Sequence, residues 1–141
     1  MYYTNPHALI DTDWLAENLN NPKIQILDAS YFLPGVKRDP KQEFNAQHIP
    51  GSVFFDIEKI ADQDSSLPHM LPDENDFSKK VSELGIKNDS KIVVYDSNGG
   101  GMAAARCWWM FRIFRHDDVA ILNGGIPKWI AEGRPTEKNA P

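Results

Sequence analysis

A chain of 141 residues, 41% of them hydrophobic, has the material for one hydrophobic core, which predicts a single soluble domain with no membrane partner. The formal net charge of -5 argues against nucleic acid as a partner, because nucleic-acid binding needs a basic face. The single cysteine, Cys107, excludes an internal disulfide, and with no visible signal peptide at the N-terminus it favours a cytoplasmic location.

The first half of the chain predicts a short helix followed by two strands. Thr12 is the expected cap of the helix, and the apolar run Ile24–Asp28 predicts a buried strand that ends in an acidic residue. Residues 33–42 are polar and contain prolines, which is typical of a surface loop. The short apolar run at 52–55 predicts the second strand.

The second half continues the alternation of helices and strands. Such an alternation is typical of a parallel sheet covered by helices on both faces. The expected elements are a helix capped by Asp73 or Asp76, a strand at Lys91–Tyr95, a helix over 102–114, a strand at Val119–Leu122, and a last helix with Pro127 in first position and Gly133 as its stop.

The polar tail after Arg134 contains Pro135 and Pro141, a composition typical of a linker. We therefore expect one domain over residues 1–136 and the start of a linker over 137–141.

The loop after the strand Lys91–Tyr95 is the expected ligand site, because open α/β sheets bind ligands at the carboxyl ends of their strands. The strand leads into Asp96, and glycines fill positions 99–101 before an alanine-rich segment. Neither a P-loop nor a dinucleotide-binding glycine pattern is present, which argues against a nucleotide. The four histidines and the single cysteine show no metal-ligand spacing, so no metal is expected.

Three separated stretches, in the same order, resemble motifs of the rhodanese-like sulfurtransferases. They are Leu-Asp-Ala-Ser at 27–30, Phe44 with His-Ile-Pro-Gly-Ser at 48–52, and Gly-Gly-Ile-Pro-Lys-Trp at 124–129. The resemblance implies a rhodanese-like α/β fold, with a central, mostly parallel sheet and helices on both of its faces.

Further stretches resemble the first half of the two-domain thiosulfate and 3-mercaptopyruvate sulfurtransferases. They are Tyr-Phe-Leu-Pro at 31–34, Phe-Phe-Asp-Ile at 54–57, Leu-Pro-His-Met-Leu-Pro at 67–72 and Trp-Trp-Met-Phe-Arg at 108–112. The resemblance implies a second rhodanese-like domain in the same polypeptide, which carries the nucleophilic cysteine. It also implies a small sulfur donor, a thiol acceptor and no cofactor, because a cysteine persulfide carries the sulfur. The isolated chain is then expected to be inactive.

Asp96 stands where the resemblance places the nucleophilic cysteine. A carboxylate accepts hydrogen bonds from the loop but cannot carry sulfane sulfur, so we interpret Asp96 as a loop anchor at a degenerate site, with a catalytic carboxylate as the alternative. Cys107 lies inside a predicted helix beside Trp108 and Trp109, and is interpreted as a packing residue rather than a reactive thiol.

His69 and Glu58 are the supporting catalytic residues that the resemblance implies. In mercaptopyruvate sulfurtransferases a histidine at the place of His69 joins an acid of the same domain and a serine of the other domain. The acid falls at Glu58, where the family more commonly has aspartate. The pair is expected to handle protons across the domain cleft, since histidine exchanges protons near neutral pH. A hydrogen-bonded loop histidine is the alternative for His69.

Two other charged or titratable residues have structural interpretations. His48 is expected to stabilise a tight turn, and Arg106 to pair with Asp96 or with an acid of the second domain, substrate steering being the alternative. For the whole chain the alternative is a stand-alone, noncatalytic rhodanese-like binding or regulatory module. A phosphatase is excluded by the loop, which has no cysteine to begin a Cys-x5-Arg motif.

Overall fold

Helices and strands alternate along the chain in the computed structural model, which describes residues 9–32, 37–57, 60, 72–87, 89–97 and 102–138. The elements are β1 (Leu9–Ile10), α1 (Thr12–Glu17), β2 (Ile24–Asp28), α2 (Pro40–Ala46), β3 (Val53–Phe54), α3 (Glu74–Glu83), β4 (Lys91–Tyr95), α4 (Met102–Ile113), β5 (Val119–Leu122) and α5 (Gly125–Ala131).

The strands form one sheet in the order β1-β5-β4-β2-β3, and every pair of neighbours is parallel. The central strands β2 and β4 are mostly apolar and the last three residues of each are buried, which suits strands covered on both faces. Their register pairs Asp28 with Tyr95, so both strands end at the same edge of the sheet. The predicted α/β class is confirmed.

Alternate residues of β4 point into two separate cores. Ile92 and Val94 pack with α3 and α4 on one face, in a cluster that includes Phe77, Cys107 and Phe111. Val93 and Tyr95 pack with α1 and α5 on the other face, in a cluster that includes Leu15, Ile126 and Trp129. Helices therefore cover both faces of the sheet, as the sequence predicts.

The first helix begins differently from the prediction. Asp11, not Thr12, is the N-cap residue of α1, and it makes no side-chain cap bond. The Thr12 hydroxyl is buried and donates to Glu132 Oε1 at 2.5 Å. The hydroxyl therefore bonds a residue distant in sequence instead of capping the helix. The strand Leu9–Ile10, which the sequence did not predict, pairs with β5 through Ile121 and Leu122.

The last helix also differs at its start. α5 begins at Gly125, after Gly124 at φ +83°, so Pro127 is the third helical residue rather than the first. Proline is tolerated there because the first-turn N–H groups have no intrahelical acceptor. Gly133, at φ +73°, follows the last turn as predicted. The predicted cap of α3 is confirmed, since an Asp73 side-chain oxygen accepts from the Asp76 N–H at 2.7 Å.

The segment after α5 folds back on the turn before β3. The N–H groups of His48 and Glu137 each donate to the other residue's carbonyl oxygen at 2.9 Å, which forms an antiparallel bridge. Glu137 Oε1 also accepts from the Gly51 N–H at 2.9 Å. Defined contacts therefore continue to residue 137, while the linker expected over 137–141 stays a prediction.

Trp129→Phe is expected to lower the free energy of unfolding by about 1–2 kcal/mol. The fully buried indole Nε1–H donates to the Pro135 carbonyl oxygen at 2.7 Å, and phenylalanine removes that donor. Urea denaturation measures the loss. Trp109→Phe on α4, where the side chain is 41% exposed, is the matched control and should cost less than about 0.5 kcal/mol. Equal losses in both variants would contradict the assignment of this bond.

Candidate functional site

Two acidic residues lie buried at the edge where β2 and β4 end. Asp28 is the last residue of β2, and Asp96 follows Tyr95 directly after β4. Both carboxyl groups are almost completely buried. Because the carboxyl ends of parallel strands are the usual ligand-binding edge, this is the candidate site of the domain.

Asp96 binds the start of helix α4 with its side chain. Its Oδ2 accepts from the Ala104 N–H at 2.9 Å, and its carbonyl oxygen accepts from the Ile126 N–H at 3.2 Å. Ala104 is the third residue of α4, where N–H groups lack intrahelical acceptors and the helix dipole favours negative charge. The carboxylate therefore fills an anion-binding position with a group of the chain itself. Residues 98–101 of the loop lie outside the described residues.

A chain of hydrogen bonds joins the ends of β2 and β4. Asp28 Oδ1 accepts from the Ser30 N–H at 2.8 Å, and Ser30 Oγ accepts from the Ser97 N–H at 3.0 Å. Burial raises the pKa of Asp28 to about 6, and the charge of Asp96 adds to this, while the hydrogen bonds from Ser30 and the nearby His48 oppose it. Sequence reasoning missed both serines. The available signal was a serine one or two residues after the acidic residue at the end of each strand.

Tyr95 fixes the turn that precedes β3. Its Oη accepts from the Ile49 N–H at 3.3 Å and lies 3.1 Å from Ser52 Oγ. Burial raises the pKa of Tyr95 above its usual value, so the side chain stays a neutral phenol.

His48 is a structural residue of the same turn, as the sequence predicts. The ring is buried and stacks on Phe44 at 4.3 Å between ring centroids. Its Nδ1 lies 2.7 Å from the Phe44 carbonyl oxygen, and its Nε2 lies 3.2 Å from Glu137 Oε1. A carbonyl oxygen only accepts, so Nδ1 carries the hydrogen of the first bond.

Cys107 lies in the core between α4 and the sheet and is completely buried. Burial raises the pKa of the thiol well above its ordinary value. Since the thiolate is the nucleophilic form, this environment opposes reactivity, as expected for a packing cysteine.

Arg106 lies on α4 with its guanidinium carbon 5.1 Å from the centroid of the Trp109 ring, a cation–π distance. Burial lowers the pKa of Arg106, although an arginine remains charged. The ion pair of Arg106 with Asp96 stays a prediction.

The expected proton-handling pair, His69 and Glu58, lies outside the described residues, so its role stays a prediction. Among the residues that the structure does describe, no three His, Cys, Asp or Glu side chains are grouped so that they could hold a metal ion. None of the helices in the described ranges has the length and apolar content that crossing a bilayer requires.

Comparison with known proteins identifies the family. The family model described as the Rhodanese-like domain matches residues 11–132. Thiosulfate/3-mercaptopyruvate sulfurtransferase 1, mitochondrial, from Arabidopsis thaliana is 48% identical over 132 residues, which is 94% of this chain and 35% of that protein. The 3-mercaptopyruvate sulfurtransferase of Homo sapiens is 41% identical over 133 residues, 91% of this chain and 45% of that protein.

Among solved structures, SseA from Escherichia coli, described as a 3-mercaptopyruvate sulfotransferase with the rhodanese fold, superposes with a TM-score of 0.89 at 43% identity. The match covers 95% of this chain and 51% of SseA. The chain thus spans between about a third and a half of the length of these relatives. With a family model that matches nearly its whole length, the chain belongs to the rhodanese-like domain family.

Proposed function

We propose that this chain is the N-terminal, noncatalytic half of a two-domain sulfurtransferase, which transfers sulfane sulfur from thiosulfate or 3-mercaptopyruvate to a thiophilic acceptor. The observation that carries the proposal is the extent of the match. The Arabidopsis relative aligns with 94% of this chain but uses only 35% of its own length to do so. A second rhodanese-like domain of the same polypeptide is the proposed partner.

The noncatalytic assignment rests on two side chains. Asp96 stands where the nucleophilic cysteine is expected, and its carboxylate accepts a hydrogen bond from the Ala104 N–H. A carboxylate cannot form a persulfide. Cys107 is fully buried in the core, where its pKa is raised. The persulfide of our proposal therefore forms on a cysteine of the second domain.

Electrostatics opposes the binding of an anionic sulfur donor at the loop after β4. Thiosulfate and 3-mercaptopyruvate are anions, whereas the carboxyl edge of this sheet carries the buried Asp28 and Asp96. The Asp96 carboxylate already occupies the start of α4, where an external anion would otherwise bind. Like charge and occupancy together oppose the binding of an anionic donor at this loop.

The sequence predicts a cytoplasmic location, and the Arabidopsis relative is named mitochondrial. The cytoplasmic location therefore stays a proposal that rests only on the sequence.

We expect the 141-residue chain alone to show no sulfur transfer above a protein-free control. The assays use thiosulfate with cyanide, and 3-mercaptopyruvate with a thiol, followed by mass spectrometry for a persulfide on Cys107. The matched control is Cys107→Ala, which should give the same background. Turnover by the chain that disappears in Cys107→Ala, with a persulfide on that residue, would overturn the noncatalytic assignment. A stop codon directly after codon 141 would favour the stand-alone module instead.

In the two-domain protein, His69→Asn is expected to lower the rate of sulfur transfer about a hundredfold, which is typical for the loss of a proton-handling group. Glu58→Gln should reduce the rate in the same direction and change its pH profile. Glu58→Asp keeps the carboxylate and should preserve most of the activity. An unchanged rate and pH profile in His69→Asn would show that His69 is only a loop residue.

A further inference from the structure

A cavity of about 330 Å³ opens beside the carboxyl edge of the sheet, between α2 and α5. This volume lies at the lower end of the range for sites of small organic ligands. Its polar wall consists of Asp28, Ser30 and Ser97, and its apolar wall includes Phe44 and Ile130. Polar groups on one side and apolar groups on the other are the usual arrangement of a small-molecule site.

The polar wall offers hydrogen-bond acceptors that the chain does not fully use. Ser97 Oγ is buried and has no hydrogen-bond partner among the residues that the structure describes. Ser30 Oγ accepts one bond, from the Ser97 N–H. The Asp28 carboxyl group accepts from the Ser30 N–H and also interacts with the hydroxyls of Ser30 and Tyr95. A carboxylate has about four acceptor positions and a hydroxyl oxygen two, so Asp28, Ser30 and Ser97 together still provide acceptors for three donated hydrogens. A buried hydroxyl without a partner is costly, and a ligand would remove that cost.

The charges around the cavity favour a cation. Arg38 and Glu43 line the cavity as an ion pair, in which Arg38 Nε and Nη2 donate to the two Glu43 oxygens at 2.8 and 2.6 Å. Their charges offset each other, which leaves the Asp28 carboxyl group as the remaining acidic group of the cavity wall. An anion would be repelled there, and an ammonium group would be attracted.

We propose that this cavity binds a small primary ammonium compound with a short branched apolar body. The ammonium group, with its three N–H donors, faces the oxygens of Asp28, Ser30 and Ser97, and the apolar body packs on Phe44 and Ile130. The site lies within this domain, so the inference goes beyond sulfur transfer and holds whether or not a second domain is attached.

The test is a titration of the ¹⁵N-labelled 141-residue chain near neutral pH with isobutylammonium chloride, followed by amide chemical shifts. Isobutanol is the neutral isostere and isovalerate the anionic counterpart. We expect saturable shifts at Ser30, Ser97 and Ile126 with isobutylammonium, and affinity for isobutanol at least about fivefold weaker, because charge-assisted hydrogen bonds are roughly twice as strong as neutral ones. Isovalerate should give no saturable shifts.

Two variants locate the binding. Ser97→Ala should weaken isobutylammonium binding at least about threefold, as expected for the loss of one hydrogen bond. Ser78→Ala, on the exposed face of α3, is the matched control and should bind like the wild type. Asp28→Asn should remove the preference for isobutylammonium over isobutanol. If Asp28→Asn does not fold, the comparison of Ser97→Ala with Ser78→Ala decides alone.

Three results would overturn the proposal. They are equal affinity for isobutylammonium and isobutanol in the wild type, no saturable shifts with any of the three compounds, and unchanged isobutylammonium binding in Ser97→Ala.

Discussion

Asp96→Ala is expected to lower the free energy of unfolding by about 3 kcal/mol, since a hydrogen bond to a charged group is lost and a buried donor is left unpaired. The Asp96 carboxylate is fully buried and accepts from the Ala104 N–H at 2.9 Å. Alanine leaves that N–H without its acceptor and removes the negative charge from the start of α4, where the helix dipole favours it. Removal of the buried Asp96 carboxylate avoids the cost of burying a charge and so offsets part of the lost stability. The Ala104 N–H is nevertheless left without an acceptor.

Urea denaturation monitored by tryptophan fluorescence measures this loss. Asp96→Asn is the matched control, because the amide oxygen replaces the acceptor at nearly the same volume, and it should cost only about 1 kcal/mol. If the alanine variant were as stable as the asparagine variant, the hydrogen bond to Ala104 would not hold the start of α4.

Asp28→Asn is expected to gain about 3 kcal/mol of stability relative to the wild type as the pH rises from about 2.5, below the unfolded pKa of Asp28, to about 7.5, above its folded pKa. Burial raises the pKa of Asp28 from 3.8 to about 6 in the folded state. Between these values the unfolded chain releases the proton and the folded chain keeps it, so the wild type loses stability as the pH rises. The loss is complete above the folded pKa, and a shift of about two units corresponds to about 3 kcal/mol.

The measurement compares the unfolding free energies of the two proteins across this pH range. At the acidic end the wild-type carboxyl group is protonated in both states, so the difference there reports the cost of the amide itself. That comparison is the internal control. A difference that stays constant, or that changes in favour of the wild type as the pH rises, would mean that the folded protein stabilises the Asp28 carboxylate.

The sequence was most informative where the pattern was local. β2, β4 and β5 are short, mostly apolar runs, and their bounds agree with the prediction. β1 was missed because the two residues Leu9–Ile10 show no period, and their pairing with β5 defines the strand. The cap assigned to Thr12 was wrong for the same reason, since its hydroxyl bonds Glu132, 120 positions away.

The site was predictable in position but not in its bonds. The sequence pattern placed the candidate site at the end of β4, and so at Asp96, because the carboxyl end of a central strand is defined by the local pattern. The acceptor role of its carboxylate toward Ala104 depends on the path of the loop between them. The bond between Ser30 and Ser97 joins residues 67 positions apart and depends on the parallel pairing of β2 with β4.

The bridge between His48 and Glu137 has a consequence for the two-domain protein that we propose. Two backbone bonds and the Glu137 side chain hold the end of this domain against the turn before β3. In the two-domain protein that we propose, the connection to the second domain then starts at residue 137 rather than at the end of α5, so fewer residues are available to span the gap. A shorter tether raises the effective concentration of one domain at the other's surface, provided that it can still span the gap. The bridge therefore lowers the entropic cost of bringing the two proposed domains together, although the bridge itself lies within this domain.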